Sequence, residues 1–320
     1  MSITPTLSVV MNVYNGGAYL PAALESVLGQ TFSDFEFIIV DDGSTDDTPA
    51  TLQRYAEQDE RIRIITQPNQ GTPTAINNGI AASRADIIAR MDADDRMLPQ
   101  RLEKQLAYLR SHPKATVVSC LAHYINERDE IIGKNYTELL TVADCQRYID
   151  EDKIIFCLHP GAMYWKQPIV EVGGYRPEMI YTQDTDLWNR LGDHGYYTIV
   201  MPEILMQYRI HPNSAMNNVG LRTDISSWAF DSARRRRRGE PELSFAEFRA
   251  KLASAPWYAR FRRRWGVYRV AYYRAAGVMY GSRRYGKFLA YLLISFLMDP
   301  RYVFFKLRNQ IFSQGSLTSA

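Results

Sequence analysis

The stretch Ala85–Asp95, ADIIARMDADD, carries four residues of buried-strand character, Ile87 to Arg90, straight into three carboxylates, Asp92, Asp94 and Asp95. Carboxylates this close repel one another unless a cation sits among them. Hard divalent cations take oxygen ligands of this kind, completed by water and by phosphate oxygens of a substrate. A solvated acidic turn is the competing reading, because Asp favours turns and helix caps on its own account. The chain on either side bears on the choice.

Upstream, Leu7–Tyr14 reads as an apolar strand closed by the turn Asn15-Gly16-Gly17, and Leu20, Leu24, Val27 and Leu28 mark one stripe of a helix. Phe35–Val40 is a second strand ending at Asp41-Asp42-Gly43-Ser44. Thr45 or Asp46 caps a helix to about Gln58, Ile62–Thr66 gives a third strand, and Thr72–Ser83 a third helix entered through Gly71. After the Ile87 strand, a helix runs from about Pro99 to Ser111. Strands alternating with helices in units of roughly thirty residues predict an α/β fold with a parallel sheet covered on both faces. Ligands of such sheets bind at the carboxyl ends of strands, where Asn12, Tyr14, Asp41, Asp42 and the Asp92 cluster all fall. Beyond Thr116, strand signals recur at Val117–Tyr124, His159–Trp165 and Thr198–Arg209, and Asp184–Leu191 reads as a short helix opened by acids. This portion is expected to complete the domain and hold a second substrate.

A chain of 320 residues, 46% hydrophobic, suits one large globular domain or two. Cys120, Cys145 and Cys157 form no close pair, which speaks against a zinc site or a disulfide framework and for a reducing, cytoplasmic setting. The opening MSITPTLSVVMNVYNGG lacks the basic start and apolar stretch of a signal peptide and reads as the first strand. The net charge of +3 hides a division: residues 1–220 carry 18 Lys and Arg against 29 Asp and Glu, a balance of −11, and residues 221–320 carry 20 against 6, a balance of +14. An acidic body joined to a basic tail implies different partners for the two parts.

In that tail Arg234 to Arg238 are five consecutive arginines. Arg260, Arg262, Arg263, Arg264, Arg269, Arg274, Arg283, Arg284 and Lys287 interleave with Trp257, Tyr258, Trp265, Tyr268, Tyr272, Tyr273 and Tyr285. Phe288–Met298 is apolar but for Ser295, far short of the roughly twenty residues that span a bilayer. Cations and aromatics around apolar faces predict helices lying in the headgroup layer of an anionic membrane. A solvated basic helix, an oligomer interface and a nucleic-acid patch are the alternatives, with no nucleic acid expected.

An early strand ending in paired acids and a later one ending in Asp-x-Asp suit a nucleotide-diphosphate ligand. Asp41 would accept hydrogen bonds from a base or ribose, and the later cluster would hold a metal bridging the diphosphate. LSVVMNVYNGGAYLPAALESVLGQTF, IIVDDGSTDDT, NQGTPTAINNGIAAS and ARMDADD, in that order, resemble the signature of family 2 glycosyltransferases of the GT-A fold, over Leu7 to about Ser214. The resemblance implies a Rossmann-like, mostly parallel sheet flanked by helices in residues 1–220, with a nucleotide-sugar half to about 115 and an acceptor half from 116. A helical, basic, amphipathic extension would follow in 221–320.

It further implies that Tyr14 and Asp42, with Asp41 nearby, line the nucleoside pocket, that Asn69 and Gly71 close over the nucleotide and that Asn77 lies on the next helix. Asp92 and Ala93 would meet the nucleotide-sugar, Asp92 also being a candidate for the metal shell, and Asp94 would ligate the metal. YTQDTDLWNRL resembles the family's acidic motif, with Gln183 where Glu is common and Asp184 as the general base of an inverting transfer, kept ionised by the helix N-terminus. Asp186 reads as readily as a cap. QYRIHPNSAM resembles the segment that supplies a histidine ligand, His211, and a lid; an imidazole beside carboxylates favours Mn2+ over Mg2+. Arg209 would meet a phosphate or hold Asp184. His159, Gly161, Gly174, Tyr175, Gln183 and Trp188 would shape the acceptor side.

The expected activity is therefore transfer from a UDP-sugar or another nucleotide-diphosphate sugar to a hydroxyl of a glycan or lipid-linked acceptor, at the inner face of the cell membrane. A homo-oligomer is compatible with it. A sugar-nucleotide nucleotidyltransferase would want a basic Gly-rich loop after the first strand, and YNGGAYLPA has no Lys or Arg. An inert basic membrane- or nucleic-acid-binding protein on the same fold would not need Asp94, Asp184 and His211 together.

Overall fold

The computed structural model describes residues 4–211 and 218–306. Its first half alternates as the apolar pattern predicts: β1 (Leu7–Val13), α1 (Leu20–Leu28), β2 (Phe35–Asp41), α2 (Thr48–Ala56), β3 (Ile62–Thr66), α3 (Thr72–Ala82), β4 (Ile87–Asp92), a two-residue β5 (Arg96–Met97) and α4 (Arg101–Ser111). There follow β6 (Ala115–Ile125), β7 (Ile131–Lys134), α5 (Val142–Asp150), β8 (Met163–Trp165), α6 (Lys166–Glu171), α7 (Gln183–Asp193) and β9 (Tyr197–Arg209). Four helices end the described chain: α8 (Val219–Arg237), α9 (Phe245–Ser254), α10 (Trp257–Gly281) and α11 (Tyr285–Met298).

The main sheet runs β3-β2-β1-β4-β8-β6-β9-β5. The pairs β1–β2, β1–β4, β2–β3 and β6–β9 are parallel, whereas β8 lies antiparallel between β4 and β6, and β5 antiparallel to β9. The sheet is therefore mostly parallel and not wholly so. Val9 and Met11 of β1 enter one apolar layer with Leu24, Phe37 and Met91, while Val10 enters the other with Ile38, Ile76, Ile88 and Trp188. Alternate side chains buried on both faces explain why these strands read as continuous apolar runs. α3 approaches the sheet closely at Gly79, where an added Cβ would stand 2.5 Å from Val10 Cγ1. The sequence reading missed α5 and α6. The first carried a usable signal, because Thr141 and Asp144 form a capping box.

The chain divides into two compact units at places other than residue 220. One comprises residues up to 125, 133–209 and 225–242; the other comprises 126–132, 210–224 and residues from 243 onward. The arginine run falls in the first unit. Arg236 and Arg237 donate to the two oxygens of Asp193 at 2.7 and 3.0 Å, Arg238 pairs with Asp152 at 3.2 Å, and Arg235 with Asp231 at 2.7 Å. These cations are paired with acids of the first unit.

In the second unit α10 and α11 form an antiparallel hairpin. Trp265 Nε1 donates to Met298 O at 3.0 Å, Ser295 Oγ donates to Arg269 O at 3.0 Å, and the rings of Tyr272 and Tyr291 lie 5.7 Å apart. Ala271, Ala275, Ala276 and Met279 are buried, while Tyr285, Leu289, Leu293 and Leu297, four residues apart along α11, are exposed. Among the described residues no helix is long and apolar enough to cross a membrane.

Candidate functional site

The carboxyl ends of β1, β2 and β4 stand side by side because the register pairs Val13 with Asp41 and Asn12 with Asp92. Arg90, fully buried within β4, organises this edge. Its guanidinium donates to Val10 O at 2.8 Å, to Asn12 Oδ1 at 2.6 Å and to Asp92 Oδ1 at 2.6 Å. A charge with no access to water must be paired, and Arg90 pairs with Asp92 and the strand ends it aligns, while its Nε has no hydrogen-bond partner among the described residues. Arg101, also fully buried, adds positive charge behind the cluster; burial pulls it down to about 10, so it stays protonated.

Asp92 and Asp94 are partly exposed, and Asp95 is enclosed. Asp95 Oδ1 accepts the Arg209 N–H at 2.7 Å, and its Oδ2 has no hydrogen-bond partner among the described residues. Burial, then the negative charges of Asp94 and Asp92, hold the Asp95 carboxyl well above the usual range. Burial also raises Asp92, against the pull of Arg90. Arg209 Nε donates to Asp94 O at 2.9 Å, and its guanidinium lies 4.3 Å over the Tyr19 ring. Arg209 thus fastens the acidic turn. The partly exposed Asp92 and Asp94 offer hard oxygens of the kind that a divalent cation takes together with water and phosphate oxygens. Among the described residues no three His, Cys, Asp or Glu side chains stand in a group that could hold a metal ion.

Asp184 opens α7 in the first turn. Its backbone neighbours lower its proton affinity, as the helix N-terminus predicts, but burial outweighs them and, with the charge of Asp92, pushes it up to about 6. The hydroxyl of the partly buried Tyr208 is raised first by burial and then by Asp95, Asp92, Asp94 and Asp184 together. Four carboxylates from β4, the turn after it and α7 therefore converge on one region. Asp186, by contrast, is structural: its Oδ2 accepts Arg190 Nε at 2.8 Å, and Arg176 stands 3.6 Å from Oδ1.

The nucleoside residues divide. Tyr14 is 51% exposed and Asn69 is exposed, so both have surface to offer. Asp42 is buried with both oxygens engaged, accepting Gln67 Nε2 at 2.7 Å, Gln70 N at 2.8 Å and Gly71 N at 2.9 Å. It holds the Gln67–Gly71 loop. Asp41, equally buried, accepts the Ser44 N–H at 2.9 Å. Gly71 leads into α3 at φ +85°, a conformation suited to glycine. Ala93 packs against the core beside the acidic turn.

Asn77 clasps the Tyr175 backbone. Its Nδ2 donates to Tyr175 O at 2.7 Å, its Oδ1 accepts Tyr175 N at 2.9 Å, and a Cβ on Gly174 would stand 2.8 Å from that oxygen.

Four of the residues expected on the acceptor side are buried: His159, Gly161, Tyr175 and Trp188. Trp188 and Tyr175 are fully buried and His159 nearly so. His159 Nε2 and the Tyr175 hydroxyl share a hydrogen bond of 2.9 Å, and the Trp188 ring lies 6.2 Å from His159 and 6.1 Å from Tyr164. These side chains build an interior aromatic floor and have no surface to give an acceptor. Burial, aided by Arg90, keeps His159 neutral, well below the usual histidine range. Gly161 is buried too, its carbonyl accepting Gln105 Nε2 at 2.9 Å. Gln183 remains partly exposed at the start of α7. His211 is partly exposed and belongs to the second unit; the rest of the expected lid, residues 212–217, lies outside the described residues.

Sequence reasoning overlooked Arg90, Arg101 and Tyr208. Arg90 was detectable, since an arginine inside the strand IIARMD must find an anion or several carbonyls.

Residues 8–173 match the family described as Glycosyl transferase family 2. The O-antigen biosynthesis glycosyltransferase WbnJ of Escherichia coli is 31% identical over 228 residues, 68% of this chain and 85% of that protein. Among solved structures, S. aureus TarS residues 1–349 in complex with UDP-GlcNAc superposes with a TM-score of 0.59 at 14% identity, covering 88% of this chain and 89% of that one. A longer TarS chain is covered to 49%. The mannosyltransferase PcManGT of Pyrobaculum calidifontis, in complex with GDP-Man and Mn2+, superposes with a TM-score of 0.54 at 16% identity, over 92% and 87% of the two chains. At these identities the solved structures speak for the GT-A fold. With a family match over half of its length and a relative covered over most of its own, the chain belongs to glycosyl transferase family 2 and is a glycosyltransferase.

Proposed function

We propose that this glycosyltransferase moves a sugar, with inversion, from a nucleotide-diphosphate sugar to a hydroxyl of a glycan or lipid-linked acceptor in cell-surface polysaccharide or glycolipid synthesis. The observation that carries the reading is Asp184, a carboxylate at about 6 electrostatically coupled to Asp92 at the β4 edge. Such a group is ionised at neutral pH yet basic enough to take a proton from an acceptor hydroxyl as its oxygen attacks the anomeric carbon. A proton taken on the Asp184 side and a diphosphate leaving toward the Asp92–Asp95 turn describe attack and departure on opposite faces of the sugar. Asp92 and Asp94 are the residues that would hold a divalent cation, which when bound offsets charge on the departing diphosphate. Exposed Tyr14 offers its ring to the base, and Asn69 lies on the loop that Asp42 shapes. A uridine donor is our first choice, supported by the fold shared with the UDP-GlcNAc complex; Mn2+ is our first choice of metal, supported by the PcManGT complex. The exposed stripes of α10 and α11 support attachment to the inner face of an anionic membrane, where a lipid-linked acceptor would be met.

The test is a thermal-shift panel of UDP, GDP, dTDP and CDP, each with Mn2+ and with chelator. One nucleotide that raises the melting temperature only with metal supports the site and names the donor class. Transfer by an Asp184→Asn variant at near wild-type rate would remove that residue from its role, whatever the panel gives.

A further inference from the structure

The second unit holds a cavity of about 450 Å³, walled by Thr223, Asp224, Arg249, Arg263, Arg264 and Tyr268 among others. Three guanidinium groups meet one carboxylate there, a balance of 3 − 1 = +2. Asp224 is already shared, accepting Arg263 Nη2 at 2.6 Å and standing 3.9 Å from Arg249 Nε. Arg264 makes no ion pair among the described residues. Cations gathered in excess favour the arrival of an anion, and guanidinium matches phosphate through parallel N–H bonds.

What borders the cavity narrows the anion. At about 100° per residue Trp257, Phe261, Arg264 and Tyr268 share one face of α10, with Trp265 beside it. Trp257 is 72% and Phe261 58% exposed, and the Phe261 and Trp265 rings lie 5.5 Å apart. A soluble phosphate compound would gain nothing from aromatics turned outward along the same face. A phosphate at a membrane surface would, because such rings enter the layer where headgroups lie.

We propose that this cavity receives the phosphate headgroup of an anionic membrane lipid, with Arg249 and Arg264 as its pairing groups and Trp257 and Phe261 entering the surface beside it. The proposal rests on the membrane reading above and adds a discrete headgroup site to it.

The experiment compares binding of the full chain to phosphatidylcholine vesicles with and without phosphatidic acid. Wild type is expected to prefer the phosphatidic acid vesicles by on the order of tenfold. R249A/R264A should lose that preference, whereas R260A/R262A, which removes the same charge from exposed α10 positions outside the cavity, should keep most of it. Should R249A/R264A melt early, Arg249→Gln with Arg264→Gln retains the stems and carries the same expectation. Equal losses in the two double variants would mean diffuse attraction and overturn the cavity while leaving membrane attachment standing. Wild type bound to neither vesicle would overturn both. Stabilisation by glycerol 3-phosphate without any vesicle preference would overturn the lipid as the source.

Discussion

A carboxylate becomes a useful base when its surroundings raise its hunger for a proton without removing its charge at neutral pH, and Asp184 is so placed. Because burial lifts it from 3.8 to about 6, transfer should fall roughly tenfold per pH unit below about 6 and level off above it. Asp184→Asn should abolish that limb and lower transfer by two or more orders of magnitude while nucleotide binding persists; rate profiles between pH 5 and 8 decide it. The same shift has a stability sign. An acid that holds its proton more tightly folded than unfolded supports the fold at low pH and withdraws that support as pH rises through 6. The melting temperature of Asp184→Asn should therefore gain on wild type more at pH 8 than at pH 5. Asp94→Ala should lose the metal-dependent part of nucleotide binding, read as a thermal shift that chelator no longer changes. Arg90→Ala, which strands Asp92 and buried carbonyls, should cost about 3–5 kcal/mol in chemical denaturation. A residue's type in sequence could not separate Asp42 from Asp94. Both end turns after strands, but the oxygens of Asp42 are used by Gln67, Gln70 and Gly71, which only the folded loop brings to it.

At the scale of elements, the alternation from β1 to α4 was legible because local apolar period and turn residues specify it. β8 was legible as a strand within His159–Trp165 but not in its placement: three residues inserted antiparallel between β4 and β6 owe their place to strands far away in sequence. Trp188 illustrates the same limit, since a helical aromatic reads alike whether it faces a ligand or an interior floor. Gly79 shows how tightly α3 is seated. Gly79→Ala would press a methyl to 2.5 Å from Val10 Cγ1 and 3.3 Å from Val40 Cγ2, and both neighbours belong to buried strands that cannot retreat. The added helix propensity offsets part of the strain, so we expect a net loss of about 1–2 kcal/mol, seen as a lower denaturant midpoint at unchanged slope. A midpoint at or above wild type would show that α3 can ride outward freely.

For the whole molecule, the split between acidic body and basic tail was visible in composition, but where the two meet was not. Five arginines in sequence looked like one patch, and Asp193, Asp152 and Asp231 pair with all five within the first unit. The surface proposed to meet a membrane is the hairpin of the second unit. Leu293→Asp with Leu297→Asp, both on the exposed stripe of α11, should abolish binding to anionic vesicles while leaving the melting temperature nearly unchanged, because neither side chain contributes to a buried core. Sedimentation with vesicles reads the first and calorimetry the second.

The clasp between Asn77 and Tyr175 bears on how such enzymes can be recombined. Residues 98 positions apart hold one another by a matched pair of amide hydrogen bonds, with Gly174 pressed against the same side chain. A chimera that imports the segment around Gly174 from a relative with a different acceptor would bring a loop shaped for its own partner on α3. The smallest transferable piece is thus discontinuous, and position 77 must travel with it.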